Sequence, residues 1–171
     1  MKTFLRQFAL IFGIFILIAF AFKFQSGTTK PEQIDLGQLV NENYSSAELN
    51  KTNNTLIFTI TASPDMSVLW RWYWCAANRE ILDRNMEEID MRFVVNNQEI
   101  PREEFAQLIF KNKDSIFKDW MCFTYETVLR DWKPGIYQLK QTETFKSQIN
   151  DGRDTFPAGY KTYEYILSIS Q

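Results

Sequence analysis

The chain reads as all-β: an antiparallel β-sandwich of seven to nine strands with one short helix, preceded by an N-terminal signal or anchor helix. Three observations predict this. Period-two alternation of β-branched and aromatic residues recurs from residue 54 to the end. Turn chemistry separates the runs at short intervals. One segment alone in that region, residues 79–88, combines helical spacing with a capping residue. Two packed antiparallel sheets bury such alternating faces.

The elements follow in order. Ile34 to Val40 is a weak candidate for a first edge strand, and Asn41 to Asn54 reads as loop. Leu56, Phe58 and Ile60 alternate with Ile57, Thr59 and Thr61, and Ser63-Pro64-Asp65 makes the turn. Ser67 to Cys75 is the next strand, with Trp70, Trp72 and Trp74 on one face and Leu69, Arg71 and Tyr73 on the other. Asn78 caps a helix over Arg79 to Glu88, whose Leu82 and Met86, with Ile89 beyond, fall at core-facing spacing. Asp90 to Val95 is a strand with Met91, Phe93 and Val95 on one face. Asn96-Asn97-Gln98 is a tight turn, since Asn tolerates left-handed backbone angles.

Pro101 to Phe105 makes one helical turn, Gln107 to Phe110 a short strand, and Asn112-Lys113-Asp114 a turn. Ile116 to Leu129 reads as a long strand with Met121, Phe123, Tyr125 and Leu129 on its better apolar face, which puts Trp120 and Cys122 opposite. Asp131 to Gly135 reverses the chain, with Pro134 fixing φ and Gly135 allowing the turn. Ile136 to Phe145 is a strand with Tyr137 and Leu139 inward. A loop opens at Asn150-Asp151-Gly152 and closes at Phe156 to Gly159. The last strand, Tyr160 to Ser170, turns Tyr163, Tyr165, Leu167 and Ile169 to one side. No internal repeat is visible.

Residues 1–24 read as a signal peptide or a retained signal anchor. Lys2 and Arg6 precede an uncharged run of 15 residues, Phe8 to Phe22. That run is short for a membrane span, which takes about 20 apolar residues. Ala19-Phe20-Ala21 puts small residues where a signal peptidase reads, favouring cleavage after Ala21. The apolar character of Phe22 and Phe24 favours retention, which would leave the protein anchored in the membrane through residues 1–24. Either way the remainder is expected outside the cytoplasm: cell surface, periplasmic-type space or secreted. Residues 25–53 read as a polar linker with the candidate edge strand, and 54–171 as the sandwich domain.

Cleavage would leave 150 residues, one domain by size. Loss of Lys2 and Arg6 from 19 basic residues leaves 17 against 21 acidic ones. That balance gives no electrostatic footprint for nucleic acid. Cys75 and Cys122 are the only cysteines. In an oxidising compartment they are most simply one disulfide, and the competing reading is two free thiols.

The ordered set Trp74-Cys75-Ala76-Ala77, Phe93 to Asn97, Cys122, Trp132 with Pro134-Gly135 and Tyr137, and Asn150-Asp151-Gly152 with Pro157 and Gly159 resembles a group of uncharacterised exported bacterial proteins. The resemblance covers residues 54–171. It implies an Ig-like sandwich, a Cys75–Cys122 bridge and export, and it implies no activity.

The chain contains no histidine. That removes Ser-His-Asp and Cys-His nucleophilic systems and His-bearing metal sites. No P-loop, G-x-S-x-G or G-x-G-x-x-G is present. No cofactor and no catalytic residue is assigned. Trp70, Trp72 and Trp74, interleaved with Arg71 and Tyr73, either fill the core or, with Trp132, form an exposed platform for a sugar or a protein. Glu87-Glu88 and Glu103-Glu104 are adjacent pairs that cannot both point into one cleft from a regular element, so they read as solvated faces rather than glycosidase carboxylates. Asp151 and Asp154 read as turn residues or, less simply, as calcium donors. Asn43, Asn50 and Asn53 stand in acceptor triplets for glycosylation and mark polar surface.

These observations lead to a non-enzymatic extracytoplasmic binding or accessory domain at the bacterial envelope. Its expected partner is another envelope protein or a glycan, met by the Trp70–Trp74 strand or by the loops near Trp132 and Asp151. The alternatives are a small carbohydrate-active enzyme using loop carboxylates and a purely structural surface domain. Fold alone does not separate the three.

Overall fold

The structure, a computed structural model, describes residues 33–49, 51–113 and 117–170. The signal segment, its cleavage site and the start of the linker lie outside the described residues. Contacts divide the chain at Glu32, and everything below concerns the unit from Gln33 onward.

Period-two alternation does most of the folding. Strand β2 (Asn54–Ala62) buries Leu56, Phe58 and Ala62 and exposes Ile57 between them. Strand β3 (Ser67–Ala76) buries Val68, Trp70, Trp72, Trp74 and Ala76. Strands β4 (Ile89–Val95) and β5 (Gln98–Ile100) form a hairpin, and Asn96 and Asn97 take positive φ of 48° and 66° at its turn. Such a two-residue reversal requires left-handed angles at both positions, which Asn tolerates. Strand β6 (Ala106–Lys111) follows a 3-10 turn at Arg102–Glu104. Strands β7 (Met121–Leu129), β8 (Gly135–Phe145) and β11 (Gly159–Ile169) complete the two layers, and β9 (Ile149–Asn150) pairs with β10 (Thr155–Phe156) in a small hairpin.

Four strands make one sheet in the order β1-β3-β7-β6, where β1 is Gln33–Asp35. Five make the other, β2-β11-β8-β4-β5. β1 on β3 and β2 on β11 pair in parallel; the remaining pairs are antiparallel. Trp70, Phe93, Leu139, Phe145, Tyr165 and Leu167 meet between the sheets with 2% exposure or less.

The first segment differs from its sequence reading. Only Gln33–Asp35 is strand; Leu36–Asn43 is helix α1, and Ser46–Leu49 (α2) adds a further turn. The Asp35 carboxylate accepts from the Gln38 N–H at 3.2 Å and so caps α1. Leu36 and Val40 enter the core, and Tyr44 meets the Phe58 ring edge-on at 5.3 Å. Leu36, Leu39, Val40, Tyr44 and Leu49 therefore pack on the core, within the stretch expected to be a polar linker. The second difference lies before β7, which starts at Met121 rather than Ile116. Asp119 adopts φ 72°, and the Asn112 N–H donates to the Trp120 carbonyl at 2.8 Å, so the chain turns where a longer strand was expected.

The helix Arg79–Glu88 (α3) forms as the sequence predicts: the Asn78 carbonyl oxygen of the side chain accepts from the Ile81 N–H at 3.0 Å, and Leu82 is fully buried. Cys75 and Cys122 form a disulfide directly across β3 and β7, with their Cα atoms 4.0 Å apart. The bridge joins neighbours within one sheet, unlike the inter-sheet bridge of antibody domains.

The disulfide closes a loop of 47 residues, which restricts the unfolded chain by about 4 kcal/mol in the chain-entropy model. Replacing both cysteines with alanine is expected to lower the urea midpoint while leaving the far-ultraviolet spectrum unchanged, because β3 and β7 stay paired along nine rungs. An unchanged midpoint would mean that the bridge contributes nothing.

Candidate functional site

The sites named from sequence separate into two groups. Trp70, Trp72 and Trp74 are 0%, 5% and 8% exposed, so the stripe is core and not a platform. The physical reason is the opposite sheet, which supplies an acceptor for two of the indoles and a ring for the third, whose N–H is buried without a hydrogen-bond partner. The Trp70 indole N–H donates to Gln141 Oε1 at 2.9 Å, the Trp72 indole N–H to Glu143 Oε2 at 2.6 Å, and the Trp74 ring meets Phe145 edge-on at 5.5 Å. Arg71 lies on the other face of β3 and is tied to Asp35 at 2.6 Å. Trp132 is half-buried, with its ring 4.9 Å from Tyr137. The Tyr137 hydroxyl in turn donates to the Lys133 carbonyl at 3.0 Å, which explains the Trp-x-Pro-Gly-x-Tyr pattern as a corner of the fold.

Gln141 and Glu143 belong to a polar cluster that the element-by-element reading passed over. The β8–β11 register sets Lys161 directly opposite Glu143, and both are nearly buried. Lys161 Nζ lies 3.3 Å from Glu143 Oε1 and 5.4 Å and 5.8 Å from the Phe145 and Phe156 ring centres. The Tyr163 hydroxyl donates to Glu143 Oε1 at 3.3 Å. Glu143 thus accepts from an indole, a phenol and an ammonium. Both of its oxygens are engaged, so it ties β3, β8 and β11 together within the core. Burial, and secondly the Glu143 charge, push the Tyr163 phenol far above its ordinary value of 10.0. Burial also raises Tyr165, with the Asp35 and Glu143 charges adding to it.

A cavity of about 580 Å³ adjoins this cluster. Trp72, Trp74, Glu143, Lys161 and Tyr163 line one part, and Phe110, Phe117 and Trp120 another. It reaches the end of the sandwich where three connections meet: the turn from β3 into α3, the segment before β7, and the loop from β8 to β11. The Asn-Asp-Gly loop is fixed there. The Ala77 N–H donates to the Asp151 carbonyl at 2.7 Å, and Asn85 Nδ2 donates to the Asn150 carbonyl at 2.9 Å. Asp151 Oδ1 accepts from the Arg153 and Asp154 N–H groups at 2.8 Å and 2.7 Å. Gly152 sits at φ 104°, and a Cβ there would lie 2.4 Å from Ala77 Cβ, so only glycine fits.

Asp151 is therefore a turn acceptor, and Asp154 pairs with Arg153 at 3.3 Å. No acidic or thiol cluster able to hold a metal occurs among the described residues. Glu87, Glu103 and Glu104 are exposed and Glu88 is half-buried. The Trp132 and Asp151 loops fall at opposite ends of β8, on the order of 30 Å apart along its strand, so they do not form one contact. At the Asp151 end, the Arg153 guanidinium lies 5.6 Å over the Phe117 ring, which packs at 4.9 Å on Trp120. Arg153 and Lys118 are exposed; Phe117 and Trp120 are half-buried.

No family model matches the chain, and no curated protein matches it. Among solved structures, the chain is similar to PbICP-C in its complex with falcipain-2, at 14% identity over 81% of this chain and 99% of that one, with a TM-score of 0.38. It is similar to EhICP2, a cysteine protease inhibitor from Entamoeba histolytica, at 10% identity over 81% of this chain and 95% of that one, with a TM-score of 0.32. Likeness at this level carries neither fold nor activity from those proteins to this one.

Lys161→Met leaves the Glu143 charge without its counter-ion and is expected to cost about 3–5 kcal/mol in urea unfolding. Adding Glu143→Gln to that variant should recover much of the loss; equal stability of the single and double variants would contradict the pairing. In alkaline titration, Tyr163 and Tyr165 are expected to give no tyrosinate absorbance until the fold is lost. Their contribution to stability is complete below pH 10 and falls as pH rises above it, because the unfolded chain releases these protons first. Tyrosinate from both residues in the folded protein would contradict their burial.

Proposed function

We propose that the protein is an exported Ig-like module of the bacterial envelope that binds a protein partner, without catalysis, through the Asp151 end of the sandwich. The observation that carries this reading is the convergence of three connections on that end. Hydrogen bonds join the Asn-Asp-Gly loop to the turn into α3 and to Asn85, Arg153 over the Phe117 ring joins it to the segment before β7, and together they present Arg153, Lys118 and the edges of Phe117 and Trp120. Loops held rigidly by a scaffold are where binding residues concentrate, and Arg and Trp are enriched among the residues that dominate protein interfaces. Burial of the Trp70–Trp74 stripe removes the flat aromatic platform on which a glycan reading rested.

Three features support the Ig-like reading. The order β1-β3-β7-β6 corresponds to strands A-B-E-D and β11-β8-β4-β5 to G-F-C-C′. Tyr137, early in the strand equivalent to F, bonds back to the preceding corner through its hydroxyl. The two sheets enclose one aromatic core. The disulfide suits an oxidising, extracytoplasmic setting. No helix among the described residues is long and apolar enough to cross a membrane.

Photo-crosslinking in intact cells tests the contact. A benzophenone side chain at Lys118 or Arg153 is expected to capture one dominant protein, and the same group at the exposed Ile57 or Ile136 is not. Arg153→Ala should then weaken binding to that partner by roughly tenfold. The same adduct from Ile57 and Ile136, or none from Lys118 and Arg153, would exclude the loop end as the contact.

A further inference from the structure

Strand β6 is an edge strand, hydrogen-bonded to β7 alone among the strands of its sheet. All six of its residues are exposed, among them Leu108 at 49%, Ile109 at 44% and Phe110 at 43%. Natural edges usually carry a proline, a central charge or a bulge that prevents pairing with another chain. β6 has none of these: its register with β7 is unbroken from Ala106 to Lys111, and its single charge is at the last position.

We propose that β6 pairs with the β6 of a second copy of this chain, antiparallel and about a two-fold axis through Ile109. The ladder decides which groups are available. The 4.0 Å Cα separation of Cys75 and Cys122 marks a non-hydrogen-bonded pair, for which about 4.5 Å is typical against about 5.5 Å for a hydrogen-bonded one. Cys122 therefore turns its N–H and C=O toward β6 and bonds to Phe110, its partner there. By alternation, Phe110 and Leu108 point their backbone groups at β7, while Gln107, Ile109 and Lys111 point theirs outward.

These outward groups are self-complementary. With Ile109 on the axis, Ile109 meets Ile109 of the second copy, and Gln107 meets Lys111 in both directions, giving three reciprocal rungs. Leu108 then lies across from Phe110 on the outer face, where non-hydrogen-bonded pairs bring apolar side chains closest. Centring on Lys111 would place like charges opposite each other, and centring on Leu108 leaves fewer rungs. Charge also selects the direction. Arg102, held by Asp90, and Glu103 and Glu104 precede β6, and Lys111, held by Asp119, and Lys113 end and follow it, so antiparallel pairing sets Glu103 and Glu104 toward Lys113 of the second copy whereas parallel pairing opposes like ends. The dimer joins two four-stranded sheets into one of eight and leaves the two Asp151 ends pointing in opposite directions.

Sedimentation of the purified chain over a concentration series tests the pairing, with a monomer–dimer equilibrium expected. Ile109→Pro is the discriminating variant: its N–H points outward and is not used in the β6–β7 ladder, so the fold is kept and the dimer is lost. Should that variant fail to fold, Ile109→Lys places like charges on the axis and is likewise expected to be monomeric. A cysteine at Ile109 should crosslink two copies on oxidation, while one at Gln107, displaced from its own symmetry mate, should not. A monomer at every soluble concentration, an open-ended ladder of oligomers, or dimers that survive both Ile109→Pro and Ile109→Lys would overturn the proposal.

Discussion

The contact on which the rest of this structure depends runs between β3 and β8, strands of opposite sheets. Three indoles on alternate positions of β3 meet Gln141, Glu143 and Phe145 on alternate positions of β8. The match is chemical as well as steric. An indole carries a large apolar surface and one N–H that, once buried, needs an acceptor. Gln141 and Glu143 supply two acceptors; Phe145 packs against the third ring, whose N–H has none. The spacing of two residues on both strands turns a single good contact into a ladder, so a slip of one residue in either strand would lose all three rungs together.

Glu143 makes this ladder dependent on a third strand. A carboxylate placed between the sheets is costly unless it is paired and hydrogen-bonded. Lys161 and Tyr163, both on β11, meet that need along with Trp72. Phe156 packs against Trp74 at 4.9 Å and lies under the Lys161 ammonium, which ties the Asn-Asp-Gly loop to the same cluster. The loop's hydrogen bonds to Ala77 and Asn85 then anchor α3 and the turn that enters it. The end of the sandwich proposed to bind a partner is in this way an extension of the core.

Much of the architecture was legible because burial alternates along most of the long strands, with exceptions such as Thr162 between the buried Lys161 and Tyr163. β2, β3, β4 and β11 bury the faces that periodicity assigns, and Asn78 caps α3 as its position before an apolar-periodic segment suggests. The polar cluster was also within reach. Tyr137 and Leu139 inward imply Gln141 and Glu143 inward, and Tyr163 and Tyr165 inward imply Lys161 inward. What the pattern cannot state is that two polar residues on inward registers stand opposite each other, since that depends on the pairing of strands. Residues 34–40 misled for a different reason. Gly37 weakens a helical reading, yet Leu36 and Val40 are one turn apart and Asp35 is a cap; the close approach of α1 to Arg71 is what glycine serves there, with a Cβ position only 3.3 Å from the Arg71 side chain. The convergence of three loops at the Asp151 end lies between residues distant in sequence and leaves no local signature.

Trp70 and Trp72 are held in the core by polar partners on the opposite sheet. A double-mutant cycle on Trp72→Phe and Glu143→Met, which takes away the indole donor and both acceptor oxygens, can be followed by urea unfolding with circular dichroism as the probe. The two substitutions are expected to be strongly non-additive, with a coupling of about 1.5–3 kcal/mol for a buried hydrogen bond to a charged group. Additive effects would mean that Trp72 and Glu143 stabilise the fold independently, and the inter-sheet ladder would then not be the interaction that holds this sandwich together.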